Sequence, residues 1–72
     1  MRVSPGDMVV ITSTNSLRNV RNSALGKVRT TCVVNTNDLA LVVAVDGPSA
    51  LEVFVIARSG SGWLFGASLR KL

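Results

Sequence analysis

Half of the positive charge of this sequence is concentrated in one segment, and the side chains are of the type that contacts phosphate. Four of the eight Lys and Arg residues lie in a stretch that contains no acidic residue between Asp7 and Asp38. These four are Arg18, Arg21, Lys27 and Arg29. Basic side chains displace the counterions condensed on nucleic acids, so affinity grows with each phosphate contact. The cluster therefore predicts a basic loop that binds RNA or single-stranded DNA.

The same cluster has a structural alternative, namely a solvated loop that keeps an apolar protein in solution. The nucleic-acid hypothesis would gain if Trp63 were exposed, because an exposed indole is a stacking platform for a base. Trp63 is therefore a candidate nucleic-acid-binding residue, although a large ring in so small a domain belongs more often to the core. Both alternatives for the basic loop stay open.

The residues required for most catalytic and metal sites are missing. The sequence has no histidine, four acidic residues and a single cysteine, Cys32. Histidine-based acid–base catalysis, a Cys/His zinc site and a disulfide within the chain are therefore excluded. Gly60-Ser61-Gly62 is not followed by the Lys-Ser/Thr pair of a phosphate-binding loop, so it predicts a hairpin. We expect no enzymatic activity, no cofactor, no metal and no small-molecule substrate.

An excess of apolar residues in a very short chain is the second strong feature. Of the 72 residues, 47% are hydrophobic and 17% are charged, and the formal net charge is +4. A chain of this length predicts one domain, residues 1–72, which buries only about 60% of the surface that its unfolded form exposes. Apolar residues that one small core cannot enclose emerge as a surface patch, and such patches mark interfaces. We therefore expect a homo-oligomer.

Short β-branched segments separated by Gly, Asn and Pro turns predict an all-β fold, a small barrel of five or six strands. The predicted strands are 8–12, 28–36, 39–45, 51–57, 63–65 and 70–72. Within the longer first connection, residues 17–25 carry apolar side chains at near-helical spacing. This segment forms either one short helix or part of a long hairpin loop, and the sequence does not decide between them.

Two of the predicted strands are apolar on both faces. Residues 39–45 and 53–57 consist entirely of apolar side chains, with no polar residue in alternation. A strand with one face in water alternates apolar with polar residues. Both faces of these strands are therefore expected to be covered, one of them in part by another subunit.

Four short motifs outside segment 14–37 follow one another in a characteristic order. They are Gly6-Asp7 before the first strand, Val45-Asp46 after an apolar strand, Gly62-Trp63 in the return strand of a hairpin, and Ser68-Leu69 before the last strand. In this order they resemble small Src-homology-3-like (SH3-like) barrel proteins, many of which are short phage-encoded chains. The resemblance implies a five-stranded barrel related in fold to Sm-like and KOW-type nucleic-acid-binding barrels, with no conserved catalytic set.

These observations predict a non-catalytic small barrel that associates with itself through edge strands or its second apolar face and contacts nucleic-acid phosphates through its basic loop. The alternative is a structural or protein–protein interaction module, such as a phage accessory protein, without a nucleic-acid ligand. The longest apolar run, 39–45, is far shorter than the about 20 residues of a membrane helix, and no signal-peptide pattern opens the chain. We therefore expect a cytoplasmic protein, in the host cytoplasm if the gene is viral, with no membrane partner.

Overall fold

The computed structural model describes residues 3–20, 29–47 and 51–72, and over these ranges the chain is all-β. Seven antiparallel strands form one sheet, and a 3-10 helix, Gly66–Ser68, connects the last two. The strands are β1 (Met8–Ile11), β2 (Asn15–Arg18), β3 (Thr30–Val34), β4 (Leu39–Asp46), β5 (Glu52–Ala57), β6 (Gly60–Phe65) and β7 (Leu69–Lys71). In the described part of the chain, no helix has the length and apolar character needed to cross a membrane.

The strand order of the sheet is β3-β2-β6-β5-β4-β1-β7, so β3 and β7 are its edges. The sheet is not closed into a barrel, because these two edge strands do not pair with each other. The all-β prediction is confirmed. The predicted count of five or six strands is not, because β2 is an additional strand, and the predicted barrel closure is not observed.

Strand β2 includes the first two residues of segment 17–25, for which the sequence allowed either a helix or part of a hairpin loop. It pairs with β3 in an antiparallel ladder that contains a bulge between Leu17 and Arg18. Leu17 is fully buried in the core, and Arg18 points to the opposite face, as the period of two requires. A helix that begins at residue 17 is therefore not formed, because burial of Leu17 in the sheet overrides its helical spacing. Residues 21–25 lie outside the described residues.

The core is an apolar cluster to which all seven strands contribute. Its buried members are Val3, Val9, Ile11, Leu17, Val34, Ala40, Val42, Val53, Val55, Leu64 and Leu69. The sheet has to curl for seven strands to share one cluster, so that one of its faces becomes the interior. We call the opposite face the outer face.

The β3–β4 turn connects two strands that do not pair with each other, and it is hydrogen-bonded to β1. The Asp38 amide donates to the Asn35 carbonyl (3.0 Å), and the Asn35 amide donates to the Asp38 carboxylate (2.8 Å). Asn37 has a positive φ of 76°, and its amide donates to the carbonyl of Ile11 (2.8 Å). The residue types suit this turn, because Asn and Asp tolerate the left-handed conformation and hydrogen-bond nearby backbone groups.

Candidate interaction surface

The outer face is populated by the residues that alternate with the core residues along each strand. In β5, Val53 and Val55 are fully buried in the core, so Glu52, Phe54 and Ile56 belong to the outer face. Along this face the side chains fall into two regions of different chemistry. One region is covered by side chains of its own chain, and the other is exposed to solvent.

The covered region is built around an ion pair between Arg18 on β2 and Glu52 on β5. Arg18 Nη2 lies 3.0 Å from Glu52 Oε1, and the exposed fractions of the two side chains are 12% and 3%. Arg18 Nε also donates to the carbonyl oxygen of Trp63 (3.3 Å) on the intervening strand β6. The guanidinium is therefore held at two points and crosses one strand to reach its carboxylate.

One aromatic ring contacts this ion pair, and two more lie on the same face of the neighbouring strands β5 and β6. The guanidinium carbon of Arg18 lies 4.3 Å from the centre of the Phe65 ring, a cation–π contact. Phe54 and Trp63 are directly opposite each other on β5 and β6 and pack edge to face, with ring centres 5.4 Å apart. We call Arg18, Glu52, Phe54, Trp63 and Phe65 the Arg18 cluster. The cluster neutralises the one buried carboxylate of the described residues and shields it from water.

The second region is an exposed apolar surface formed by β1, β4 and β5. We call it the apolar face, and its members are Met8 (42% exposed), Leu39 (52%), Leu41 (39%), Val43 (43%) and Ile56 (50%). None of these five residues is charged or polar. Their exposure is high for apolar residues that lie within regular strands rather than in loops or at termini.

Strand register makes the apolar face continuous. Met8 is directly opposite Leu41 in the β1–β4 ladder, and Leu41 is directly opposite Ile56 in the β4–β5 ladder. Side chains at such positions lie within contact distance on the same face of the sheet. Leu39 and Val43 extend this row along β4, on either side of Leu41. The result is a cross-shaped apolar surface with Leu41 at its centre.

Both edge strands, by contrast, carry features that oppose pairing with another strand. On β3, the Ser59 hydroxyl donates to the carbonyl of Val33 (3.1 Å), which occupies one backbone acceptor. Strand β7 has only three residues, and the Nζ atom of its Lys71 lies 3.5 Å from the carboxylate of Asp7. Short, charged or side-chain-blocked edges resist edge-to-edge association. Over the ranges that the structure describes, the apolar face has no comparable protection.

The structure describes three of the five residues that the sequence predicted as one nucleic-acid-binding site. Arg18 and Trp63 come together in the Arg18 cluster, where the guanidinium is paired and Trp63 is half-buried against Phe54. Arg29 is exposed at the base of the β2–β3 hairpin, where its amide donates to the side-chain oxygen of Asn19 (2.8 Å). The other two predicted residues, Arg21 and Lys27, lie outside the described residues.

Sequence reasoning overlooked Glu52 as a partner for the basic segment. A signal was available, because Glu52 is the one charged residue in the predicted strand 51–57, where a lone carboxylate requires a partner. The sequence did not indicate which cation that partner is. As for metal binding, no group of three acidic or cysteine side chains that could hold an ion occurs within the described ranges.

Comparison with known proteins returned no match: no family model matches the chain, and neither a curated protein nor a solved structure does so. A function for this chain must therefore be inferred from its own residues. The two features with functional content are the apolar face and the basic hairpin that carries Arg29.

Proposed function

We propose that this chain is a non-catalytic interaction module that associates with copies of itself through its apolar face. The continuous row formed by Met8, Leu41 and Ile56 carries this proposal, because three neighbouring strands expose apolar side chains in register. Water contact with such a row is unfavourable, and its removal is the main driving force of protein association. Large apolar patches on soluble proteins mark interaction sites for the same reason.

Self-association suits this face better than it suits the sheet edges. An edge-to-edge contact would have to displace the Ser59 hydroxyl from β3, or pair with the short and basic strand β7. A contact through the apolar face breaks no ion pair among its five members, because none of them is charged. Burial of this face also adds to a core that is small for an independent domain.

Light scattering of the purified chain tests this proposal. The monomer mass is 7.6 kDa, and we expect a particle whose mass is an integral multiple of that value at micromolar concentration. Dilution should shift the mass towards the monomer, because association depends on concentration. A particle that keeps a mass of 7.6 kDa up to high micromolar concentration would contradict the proposal.

The basic hairpin supports a second function, contact with nucleic-acid phosphates. Arg29 is exposed, and its carbonyl accepts a hydrogen bond from the Asn19 amide (2.9 Å). Arg21 and Lys27 lie between these two residues in the sequence, so three cations are close along the chain. In this proposal Arg18 has a different role, since its pairing with Glu52 stabilises the strand from which the hairpin extends.

Salt dependence of oligonucleotide binding tests the second function. We expect single-stranded RNA or DNA to bind at low salt, with log K falling linearly as log[salt] rises. Replacing Arg21, Lys27 and Arg29 together by Ala should reduce the magnitude of that slope by about 2, at about 0.7 per lost contact. The matched control is Arg58→Ala, which removes one exposed cation from the β5–β6 turn. No retention at low salt, or an unchanged slope in the triple variant, would refute this function.

For the fold, we propose an SH3-like barrel that is left open and extended by the β2–β3 hairpin. Strand order supports it, because the five strands associated with the SH3-like motifs form one uninterrupted run, β6-β5-β4-β1-β7. The 3-10 helix that leads from β6 into Ser68-Leu69 and β7 lies where the motif order requires a tight turn. The lone thiol of Cys32 suits a reducing compartment, which supports a cytoplasmic location, including the host cytoplasm if the gene is viral.

A further inference from the structure

We infer that the apolar face of one copy packs against the apolar face of a second copy, with a two-fold axis along the row of Met8, Leu41 and Ile56. This inference rests on the proposed self-association and specifies how the two copies are arranged. Each member of the row would then lie against the same residue of the partner subunit. Along β4, Leu39 would face the partner's Val43.

The size of the apolar face fits one further copy of the chain. Side chains that are 39–52% exposed at five positions present on the order of 400 Å² of apolar surface. A standard interface buries about 800 Å² on each partner, of which somewhat more than half is apolar. The apolar face therefore supplies the nonpolar share of one such interface, and the polar residues around it supply the rest.

The chemistry of the face is self-complementary. A two-fold contact places the same surface of both copies in apposition, so any charge at its centre would meet a like charge. The central row of Met8, Leu41 and Ile56 contains none. The geometric centre is Leu41, which has an apolar neighbour on each adjacent strand and two more along its own strand. A two-fold axis over Leu41 buries the largest part of the face.

Charge distribution selects the direction of the axis. Two basic residues lie near the Leu39 end of the face. Arg70 on β7 pairs with Val10 on β1, which in turn pairs with Leu39. Arg58 directly follows Ala57, which pairs with Ala40. An axis along the strands would superimpose these basic ends of the two copies, which is costly because like charges oppose each other. An axis across the strands separates them to opposite ends of the interface. The strands of the two sheets would then run antiparallel, within the about 30° typical of aligned packing.

Cysteine cross-linking distinguishes the two directions. In a Cys32→Ser background, Leu41→Cys should form a disulfide-linked dimer on mild oxidation, because its partner lies directly opposite. Leu39→Cys alone should remain monomeric on a non-reducing gel, since its copy would be about 13 Å away at 3.3 Å per residue. A mixture of the Leu39→Cys and Val43→Cys proteins should yield the cross-linked heterodimer that neither protein forms with itself. Leu51→Cys, also exposed but outside the face, is the control for random collision.

The outcomes separate this inference from the proposed self-association. If light scattering shows an oligomer but Leu39→Cys cross-links to itself, the axis runs along the strands and the inference is wrong. If an oligomer forms and Leu41→Cys cross-links no more than Leu51→Cys, another surface forms the interface. If the chain is a monomer, the proposed self-association fails first. Circular dichroism of each variant before oxidation shows that it is folded, and Cys32→Ala replaces Cys32→Ser if the serine background is not.

Discussion

Arg18 on β2 and Glu52 on β5 form an ion pair across the intervening strand β6, with 3.0 Å between Nη2 and Oε1. The pair covers one region of the outer face, where the guanidinium also contacts the Phe65 ring. Among the described residues, no such ion pair covers the apolar face, and Leu41 and its neighbours are exposed. The outer face thus combines an ion-paired cluster with an exposed apolar surface, and the exposed apolar surface is the one suited to a partner.

Loss of Arg18 should destabilise the fold strongly. Arg18→Met removes the guanidinium that pairs with the buried Glu52 carboxylate, and the cost of breaking such a buried pair is about 3–5 kcal/mol. Urea unfolding followed by circular dichroism measures this change. Combining Arg18→Met with Glu52→Leu should recover most of the loss, because an apolar pair leaves no buried charge.

Arg29→Met is the matched control, since Arg29 is exposed and should change stability by no more than about 0.5 kcal/mol. Equal effects of Arg18→Met and Arg29→Met would contradict the structural role of Arg18. The comparison also bears on nucleic-acid binding. A binding defect in an Arg18 variant has to be measured on protein shown to be folded, because unfolding would imitate the loss of a phosphate contact.

Gly62→Ala should lower stability because β6 approaches the β2–β3 hairpin too closely for a side chain. A Cβ atom at this position would lie 2.8 Å from Leu17 Cβ, 2.9 Å from the Arg18 carbonyl oxygen and 3.0 Å from Thr31 Oγ1. Overpacking of this kind typically costs about 1–3 kcal/mol. Thermal unfolding measures the loss, and the neighbouring exposed Ser61→Ala is the control. An unchanged midpoint for Gly62→Ala would show that β2 and β6 are further apart than described.

Asn37 offers a test of the β3–β4 turn. Its φ of 76° lies in the left-handed region, which costs most residues about 1–2 kcal/mol and costs glycine little. Asn37→Ala should therefore be destabilising by about 1 kcal/mol, whereas Asn37→Gly should be neutral or slightly stabilising. The measurement is the denaturant concentration at the unfolding midpoint, compared between Asn37→Ala and Asn37→Gly. The opposite order would mean that the turn has a different backbone conformation.

The residues of β4 and β5 explain why much of the fold was predictable. Uninterrupted apolar sequence at 39–45 indicated a strand with two apolar faces, and the structure shows Val42 buried while Leu41 and Val43 remain exposed on the other side. The turn around Asn37 was likewise predictable, because its residue types act locally.

Strand β2 and the role of Arg18 were not predictable from local sequence. Asn15–Arg18 has weak β-propensity, and it becomes a strand because Leu17 is buried and because β3 and β6 pair with it on either side. The partner of Arg18 lies 34 residues further along the chain, so only the folded arrangement of β2, β6 and β5 brings the two charges together. A basic residue in a charged segment looks like a ligand-binding group until such a partner is located.

The role of the apolar face is tested most directly by sedimentation equilibrium of Leu41→Lys beside the unaltered chain. A lysine at the centre of the face would have to lose its hydration in the interface and face the partner's lysine, so we expect a mass of 7.6 kDa where the unaltered chain is oligomeric. Val33→Lys, which changes an even more exposed apolar residue on β3 (49% against 39% for Leu41), should keep the oligomer. An unaltered chain that is itself monomeric, or a Leu41→Lys protein that retains the oligomeric mass, would contradict self-association through this face.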